Sequence, residues 1–237
     1  MTTARKLEQA DLVNYAIGLL ASGSPEEWNC NYRARDFNRV IPEKSGDAVC
    51  LDFEYSRRHV LYTCVQQRFI GREPIDYLEF GVAAGDSFRD WLKINALPES
   101  RFYGFDSFEG LPEDWQIDSP KGAYSQDGNI PEIDDPRATI IDGLFQHSLP
   151  GFLEGFRPAN RLVVHMDADL YSSTLYCLTQ LDRHIAPGTI ILFDEFSARS
   201  FTDEFAALQD YCTACYRDYR VIAMRRDFVK VAVEVTR

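Results

Sequence analysis

The chain has 237 residues, 45% of them hydrophobic, and carries 37 acidic against 25 basic side chains for a net charge of −12. That length suffices for one α/β domain with a full core, and so acidic a surface repels phosphate backbones and sets nucleic acid aside as a main partner. No apolar run approaches the roughly 20 residues that cross a bilayer, and Met1–Glu8 lacks the apolar stretch of a signal peptide, so the expectation is a cytoplasmic protein with no membrane partner.

In chain order, residues 5–21 predict a helix, with Leu7, Leu12, Ala16, Leu19 and Leu20 near helical spacing. Ser22-Gly23-Ser24-Pro25 reads as its end. The polar, aromatic-rich stretch up to Gly46 shows no assignable period. Residues 52–70 predict a second helix, with Phe53, Val60, Leu61, Cys64 and Val65 on one face. Residues 1–70 are therefore expected to be N-terminal helical decoration, packed on a main domain spanning 71–237.

From Ile75 the rhythm becomes strand–helix alternation, with strands expected at 75–80, 101–106, 138–142, 161–167, 189–194, 220–225 and 228–235. Repeated β–α units predict a doubly wound, mostly parallel sheet. The last two strands are separated by a short Arg226-Asp227 turn and form an antiparallel hairpin. Seven strands with a terminal hairpin is the Rossmann-like pattern of class I methyltransferases. Residues 107–137 break the rhythm: they are rich in Gly, Pro and acidic residues, and they predict a lid-like loop over a site. The six cysteines read as free thiols. Cys212 and Cys215 have C-x-x-C spacing, but they lie in a helical stretch with no second ligand pair, so packing is the expected role.

The chemistry is carried by the strand ends. Tyr77-Leu78-Glu79-Phe80-Gly81-Val82-Ala83-Ala84-Gly85-Asp86-Ser87 is a buried strand, a glycine turn and a helix start. Its E-x-G-x-x-x-G pattern is how many S-adenosylmethionine (SAM) sites begin, which nominates Glu79, Gly81, Val82, Gly85 and Ser87 as cofactor-binding residues. Asp106, 21 residues after Gly85, stands where an acid accepts hydrogen bonds from the ribose hydroxyls, and Ser107 follows it. NAD would use the same acid, but the pyrophosphate-binding G-x-G-x-x-G form is lacking. Asp142-Gly143 closes the third strand near the expected adenine edge, where the Asp could accept amino hydrogens or simply make a turn.

Two apolar strands end in acidic pairs, Asp167-Ala168-Asp169 and Asp194-Glu195. Neighbouring strands of this kind gather four carboxylates in a small volume. Uncompensated, they repel; a hard divalent cation resolves the repulsion, and Mg²⁺ suits because it keeps open positions for substrate oxygens. Helix caps are the plainer reading, and they account for one Asp at each strand end. His147 is a further candidate base, after the third strand, whereas His165 lies inside a strand and is expected to point into packing.

Glu79-Phe80-Gly81-Val82, Gly104-Phe105-Asp106-Ser107-Phe108-Glu109-Gly110-Leu111-Pro112, Asp167-Ala168-Asp169-Leu170-Tyr171 and Asp194-Glu195 together resemble the macrocin O-methyltransferase family over roughly residues 75–235. The resemblance implies a SAM-dependent O-methyltransferase acting on a hydroxyl of a sugar or sugar-bearing natural product, working as a homodimer. It implies Asp167 as a Mg²⁺ ligand, with Asp194 and Glu195 completing the metal site, and Asp169 as general base. Glu195 departs from the usual Asp-Asp of that family. A catechol-type phenolic methyltransferase is the nearest alternative, but the lysine such enzymes place near the D-x-D region is missing between Arg161 and Arg183. A non-catalytic SAM-binding protein is a second alternative, against which the intact acidic cluster argues.

Overall fold

The structure is a computed structural model that describes residues 24–116 and 118–237. The helix expected over 5–21 lies outside the described residues. Helix α1 (Pro25–Lys44) fills the stretch that shows no period in the sequence. It opens on a capping box: Ser24 Oγ accepts from the Glu27 N–H at 3.1 Å, and the Glu27 carboxylate accepts from the Ser24 N–H at 3.1 Å. Ser24-Pro25 therefore begins a helix rather than ending one. The apolar signal is faint because α1 buries few side chains, among them Phe37, Val40 and Ile41.

The rest follows in order: β1 (Val49–Leu51), a short 3₁₀ turn (Tyr55–Arg57), α2 (His59–Val65) widening into a π-turn (Gln66–Ile70), β2 (Ile75–Phe80), α3 (Asp86–Ile94), β3 (Arg101–Asp106), β4 (Ala138–Asp142), α4 (Phe145–Gly155), β5 (Arg161–Met166), α5 (Tyr171–Leu181), β6 (Ile190–Phe193), α6 (Ala198–Phe201), α7 (Glu204–Ala214), β7 (Tyr219–Arg225) and β8 (Val231–Val235). The sheet order is β1-β7-β8-β6-β5-β2-β3-β4. Strand β8 runs antiparallel to both its neighbours, and every other pair is parallel. This is the expected doubly wound sheet with its C-terminal hairpin, but it has eight strands rather than seven. The addition is β1, which pairs with β7 through Val49↔Ala223. Three residues are too few for period-2 alternation to show in a sequence.

Alternation along the strands loads both faces with apolar side chains. Leu78, Phe80, Val164, Met166, Ile191 and Phe193 pack under α1, α4, α5 and α7. Tyr77, Val163, Ile190, Leu192 and Ala232 pack under α2 and α3. Each such side chain contributes about 1.5–3 kcal/mol when fully buried. The chain order reverses between β2 and β5, so the crevice at their carboxyl ends is the switch point where ligands bind in open α/β sheets.

The opposite edge is locked by Asp76, a fully buried carboxylate. It accepts two hydrogen bonds from Arg101, at 2.7 and 2.6 Å, and others from the backbone N–H groups of Ala159 and Asn160. Burial alone would raise its pKa, but Arg101 and the two N–H donors hold it below the usual carboxylate range. Replacing Asp76 with Ala leaves Arg101 with the Arg157 carbonyl alone and two N–H groups unpaired, and should cost about 3 kcal/mol at neutral pH. A depressed folded pKa gives stability that is present above the unfolded value of about 3.9 and lost as pH falls through the folded one. Urea titrations of wild type and Asp76→Ala should therefore converge as the pH drops below about 4; a constant gap would show that the carboxylate's charge is not what stabilises this edge.

Candidate active site

The carboxyl edge of the sheet is set by a ladder that continues one residue past each strand. Gly143 N–H donates to Asp106 O at 2.9 Å, Gly81 to Phe105 O at 2.9 Å, Asp167 to Phe80 O at 2.9 Å, and Asp194 to Met166 O at 3.0 Å. Asp106, Gly81, Asp167 and Asp194 are thereby brought into one row. Above it lies a cavity of about 230 Å³.

One half of the cavity is lined by Gly81, Ala83, Asp106, Ser107, Leu144, Phe145 and Gln146. Gly81 has φ +96°, and a Cβ there would stand 1.9 Å from the Asp167 carbonyl oxygen, so only glycine allows β2 and β5 to approach this closely. Asp106 does more than face a ligand. Its Oδ2 accepts from the N–H groups of Val82 and Ala83 at 2.8 and 2.7 Å, and its Oδ1 from Phe108 at 2.8 Å, which ties the glycine turn to the following loop.

Several sequence candidates lie off this wall. Glu79 is fully buried, and its carboxylate accepts from Ser87 Oγ at 2.6 Å and from the Tyr77 hydroxyl. Val82 packs beneath the turn, near Gly104. Gly85 caps α3 in the left-handed region at φ +82°, and Asp142 is exposed with Gly143 beside it. His147 is exposed on the first turn of α4, away from the acidic residues of the cavity. Glu79, Val82 and Gly85 shape the turn and its support, whereas Asp142 and His147 are exposed outside the cavity lining.

The acidic cluster forms as expected: Asp167, Asp169, Asp194 and Glu195 all line the cavity. Asp169 sits at φ +57°, unusual outside glycine, in a tight turn closed by Leu170 N–H and Ala168 O. Burial, followed by the charge of Asp167, pushes its carboxyl up to about 8. Burial and the neighbouring Asp194 raise Asp167 as well, against the pull of Arg58. Asp194 goes the other way: burial opposes its charge, but His165, Lys230 and Arg58 outweigh that and hold it far below the carboxylate range. Lys230 Nζ donates to its Oδ2 at 2.6 Å, and Arg58 Nη1 donates to the same oxygen at 2.8 Å and to Asp167 Oδ2 at 2.7 Å.

His165 is buried as expected, but it belongs to the cluster's support. Its Nδ1 lies 2.8 Å from the Tyr77 hydroxyl, and its Nε2 lies 3.5 Å from Asp194 Oδ1 without a hydrogen-bond partner. Burial would lower its pKa, yet flanking Asp194 and Glu79 raise it to about 9. Ligand atoms of His165, Asp167 and Asp194 lie within 4.8 Å of one another, a spacing that could hold a metal ion among the described residues. Glu195 falls outside that trio. Its Oε1 accepts from the Tyr55 hydroxyl, and its N–H donates to the buried Glu204 at 2.9 Å.

The cavity's other half adds Tyr55, Arg58, Trp115 and Tyr124, which the motifs do not reveal, to the Gly110-Leu111-Pro112 end of one motif. Tyr55 and Arg58 reach it from the turn before α2, and Gly110, Leu111, Pro112, Trp115 and Tyr124 from the 107–137 loop. The loop is pinned by Leu111–Ala123 and Gly122–Leu111 backbone bonds and by Trp115 Nε1 donating to Asp203 at 2.9 Å. Its run of glycines and prolines marked a loop over a site, but which of its side chains turn inward depends on these long-range bonds. Gly81→Ala should weaken S-adenosylhomocysteine binding by at least about tenfold in calorimetry, because the Cβ forces β2 and β5 apart beneath the cavity; unchanged affinity would mean that the cofactor does not use this turn.

The model of the macrocin-O-methyltransferase (TylF) family matches residues 55–216. A relative from Streptomyces olivaceus, an 8-demethyl-8-(2,3-dimethoxy-alpha-L-rhamnosyl)-tetracenomycin-C 4'-O-methyltransferase, is 27% identical over 172 residues, covering 64% of this chain and 63% of its own. The mycinamicin III 3''-O-methyltransferase of Micromonospora griseorubida is 26% identical over 163 residues, covering 59% of this chain and 62% of its own. The aligned region thus spans less than two thirds of either relative. Among solved structures, the O-methyltransferase NovP superposes with a TM-score of 0.58 at 19% identity, over 90% of this chain and 100% of that one. The calicheamicin methyltransferase CalS11 gives 0.56 at 16% identity, over 99% of each. Those two likenesses establish a shared fold, that of class I O-methyltransferases. With a family model matched over more than half its length, this chain belongs to the macrocin-O-methyltransferase (TylF) family.

Proposed function

We propose that this protein transfers the methyl group of SAM to a hydroxyl of a sugar or sugar-bearing natural product, with Asp169 as the general base and a Mg²⁺ ion at the acidic cluster. The observation that carries the reading is that Asp169 shares one cavity with the Gly81–Ala83 turn and Asp106. An acceptor hydroxyl placed beside Asp169 is therefore within the same enclosure as a cofactor seated on that turn. The two named relatives are sugar O-methyltransferases, which supports a saccharide acceptor.

SAM, when bound, supplies an electrophilic methyl group on a sulfonium. The chain's part is to hold the acceptor oxygen in line and to take its proton. Much of the rate in such a displacement comes from positioning. Asp169 is placed for the proton: it lines the cavity, and its tight turn holds it beside the acidic cluster. Trp115 and Tyr124 offer flat apolar surface for a sugar face, with ring centroids 6.5 Å apart.

The residues present fit a divalent cation. Four carboxylates meet three cationic partners, Arg58, Lys230 and His165, and ligand atoms of Asp167, Asp194 and His165 lie within 4.8 Å of one another. Asp167 and Asp194 would hold the ion, with Glu195 beside them and His165 behind. Bound there, Mg²⁺ supplies Lewis acidity toward a substrate oxygen. Homodimerisation and a cytoplasmic location complete the proposal; among the described residues, no helix is long and apolar enough to cross a membrane.

Incubation with methyl-labelled SAM, Mg²⁺ and a panel of methyl glycosides and glycosylated polyketides tests the reading. Label should pass to a sugar hydroxyl; transfer to a catechol in preference to every glycoside would replace the acceptor class. Asp169→Asn should lower kcat by about 10²–10⁴ while leaving S-adenosylhomocysteine affinity within twofold, and full turnover in that variant would remove the base assignment. Trp115→Ala should raise the KM for the acceptor more than that for SAM, whereas equal effects would make Trp115 a general support of the loop.

A further inference from the structure

We propose that Arg58 is a resident counter-ion that competes with a divalent cation for the Asp167–Asp194 pair: it keeps the cluster folded without metal, and metal binds by displacing it. The inference rests on the divalent-cation reading above, and concerns how this chain governs its own site.

A single nitrogen, Arg58 Nη1, lies 2.7 Å from Asp167 Oδ2 and 2.8 Å from Asp194 Oδ2. It thus sits between the two carboxylates that would hold a metal ion, and both cations cannot hold those oxygens in full. Carboxylates this close need a positive partner at all times. Without one, burial and mutual repulsion would protonate one of them or push the ends of β5 and β6 apart.

Three cations serve the pair: His165 is fixed inside β5, and the other two are not equivalent. Lys230 Nζ is fully buried and also donates to the Asp194 backbone oxygen at 3.3 Å, so it is built into the β6–β8 edge. The Arg58 side chain retains 28% exposure and lines the cavity. Its backbone belongs to the turn before α2, not to any strand, so its guanidinium can withdraw without disturbing the ladder that aligns Asp167 and Asp194. Lys230 stays on Asp194, and Tyr55 stays on Glu195, when Arg58 leaves. Competition between two ligands is reciprocal, so whatever Arg58 contributes to the metal-free state, it subtracts from metal affinity.

Binding of Mn²⁺ to full-length wild type and to Arg58→Met, followed by electron paramagnetic resonance of free Mn²⁺, tests this directly. The variant should bind Mn²⁺ roughly tenfold more tightly, and its melting temperature should lie below wild type in chelator and recover on adding Mn²⁺. Equal Mn²⁺ affinity in the two proteins would overturn the competition and leave the metal site standing. Failure of both to bind Mn²⁺ would overturn the metal reading and this inference with it. Should Arg58→Met fail to fold, side-chain ¹⁵N spectra of the wild-type guanidinium, assigned with Arg58→Lys, give the answer. Saturating Mg²⁺ should move the Arg58 resonance toward its free, solvent-exchanging position; an unmoved resonance with Mg²⁺ bound would refute displacement.

Discussion

Asp194 is the point on which the site turns. It is a buried carboxylate just past β6, and three separate pieces of chain compensate its charge or hold its position: β5, through His165 and the Met166 carbonyl that accepts from its N–H, Lys230 just before β8, and Arg58 from the turn before α2. Burying one charge without such partners costs several kcal/mol. The antiparallel strand β8 thus has a role beyond completing the sheet, because it delivers the ammonium that lets β6 end in an acid. The N-terminal segment likewise delivers the guanidinium that joins Asp194 to Asp167.

A polar chain runs beneath this cluster through the face of the sheet covered by α2 and α3. Ser87, Glu79, Tyr77 and His165 pass hydrogen bonds from the start of α3 to the edge of Asp194. Polar groups in a low-dielectric core stabilise only when nearly all are paired, and most of these are. The unpaired Nε2 of His165 faces Asp194, where the charge between them compensates in part. The glycine turn and the acidic cluster therefore rest on one shared support.

The cavity is assembled from a rigid row and a looser roof. The row is backbone, set by parallel pairing continued past the strand ends. The roof is the 107–137 loop, held by a few side-chain anchors such as Trp115–Asp203 and Ser172–Glu113. Asp167 and Asp194 sit on the row, where packing holds them. Aromatic groups sit on the roof, where a loop can vary without cost to the core.

Much of this was readable along the chain, for a local reason. A strand ending in Asp-x-Asp or in E-x-G-x-x-x-G states its period, its end and its chemistry within a dozen residues, so β2, β3, β5 and β6 are legible with their ends to within about a residue. Helix α1 also has a local signal, the Ser24–Glu27 capping box, but its apolar face is too sparse to announce it. What lay beyond reach was everything set by contact at long separation. Arg58 meets Asp194 across 136 residues, and Trp115 meets Asp203 across 88. Glu79 and His165 stand in strands buried on both faces, where period does not distinguish a ligand-facing side chain from one turned into a network. Local order follows from neighbours in sequence, whereas the identity of a buried charge's partner follows from packing, which no single segment contains.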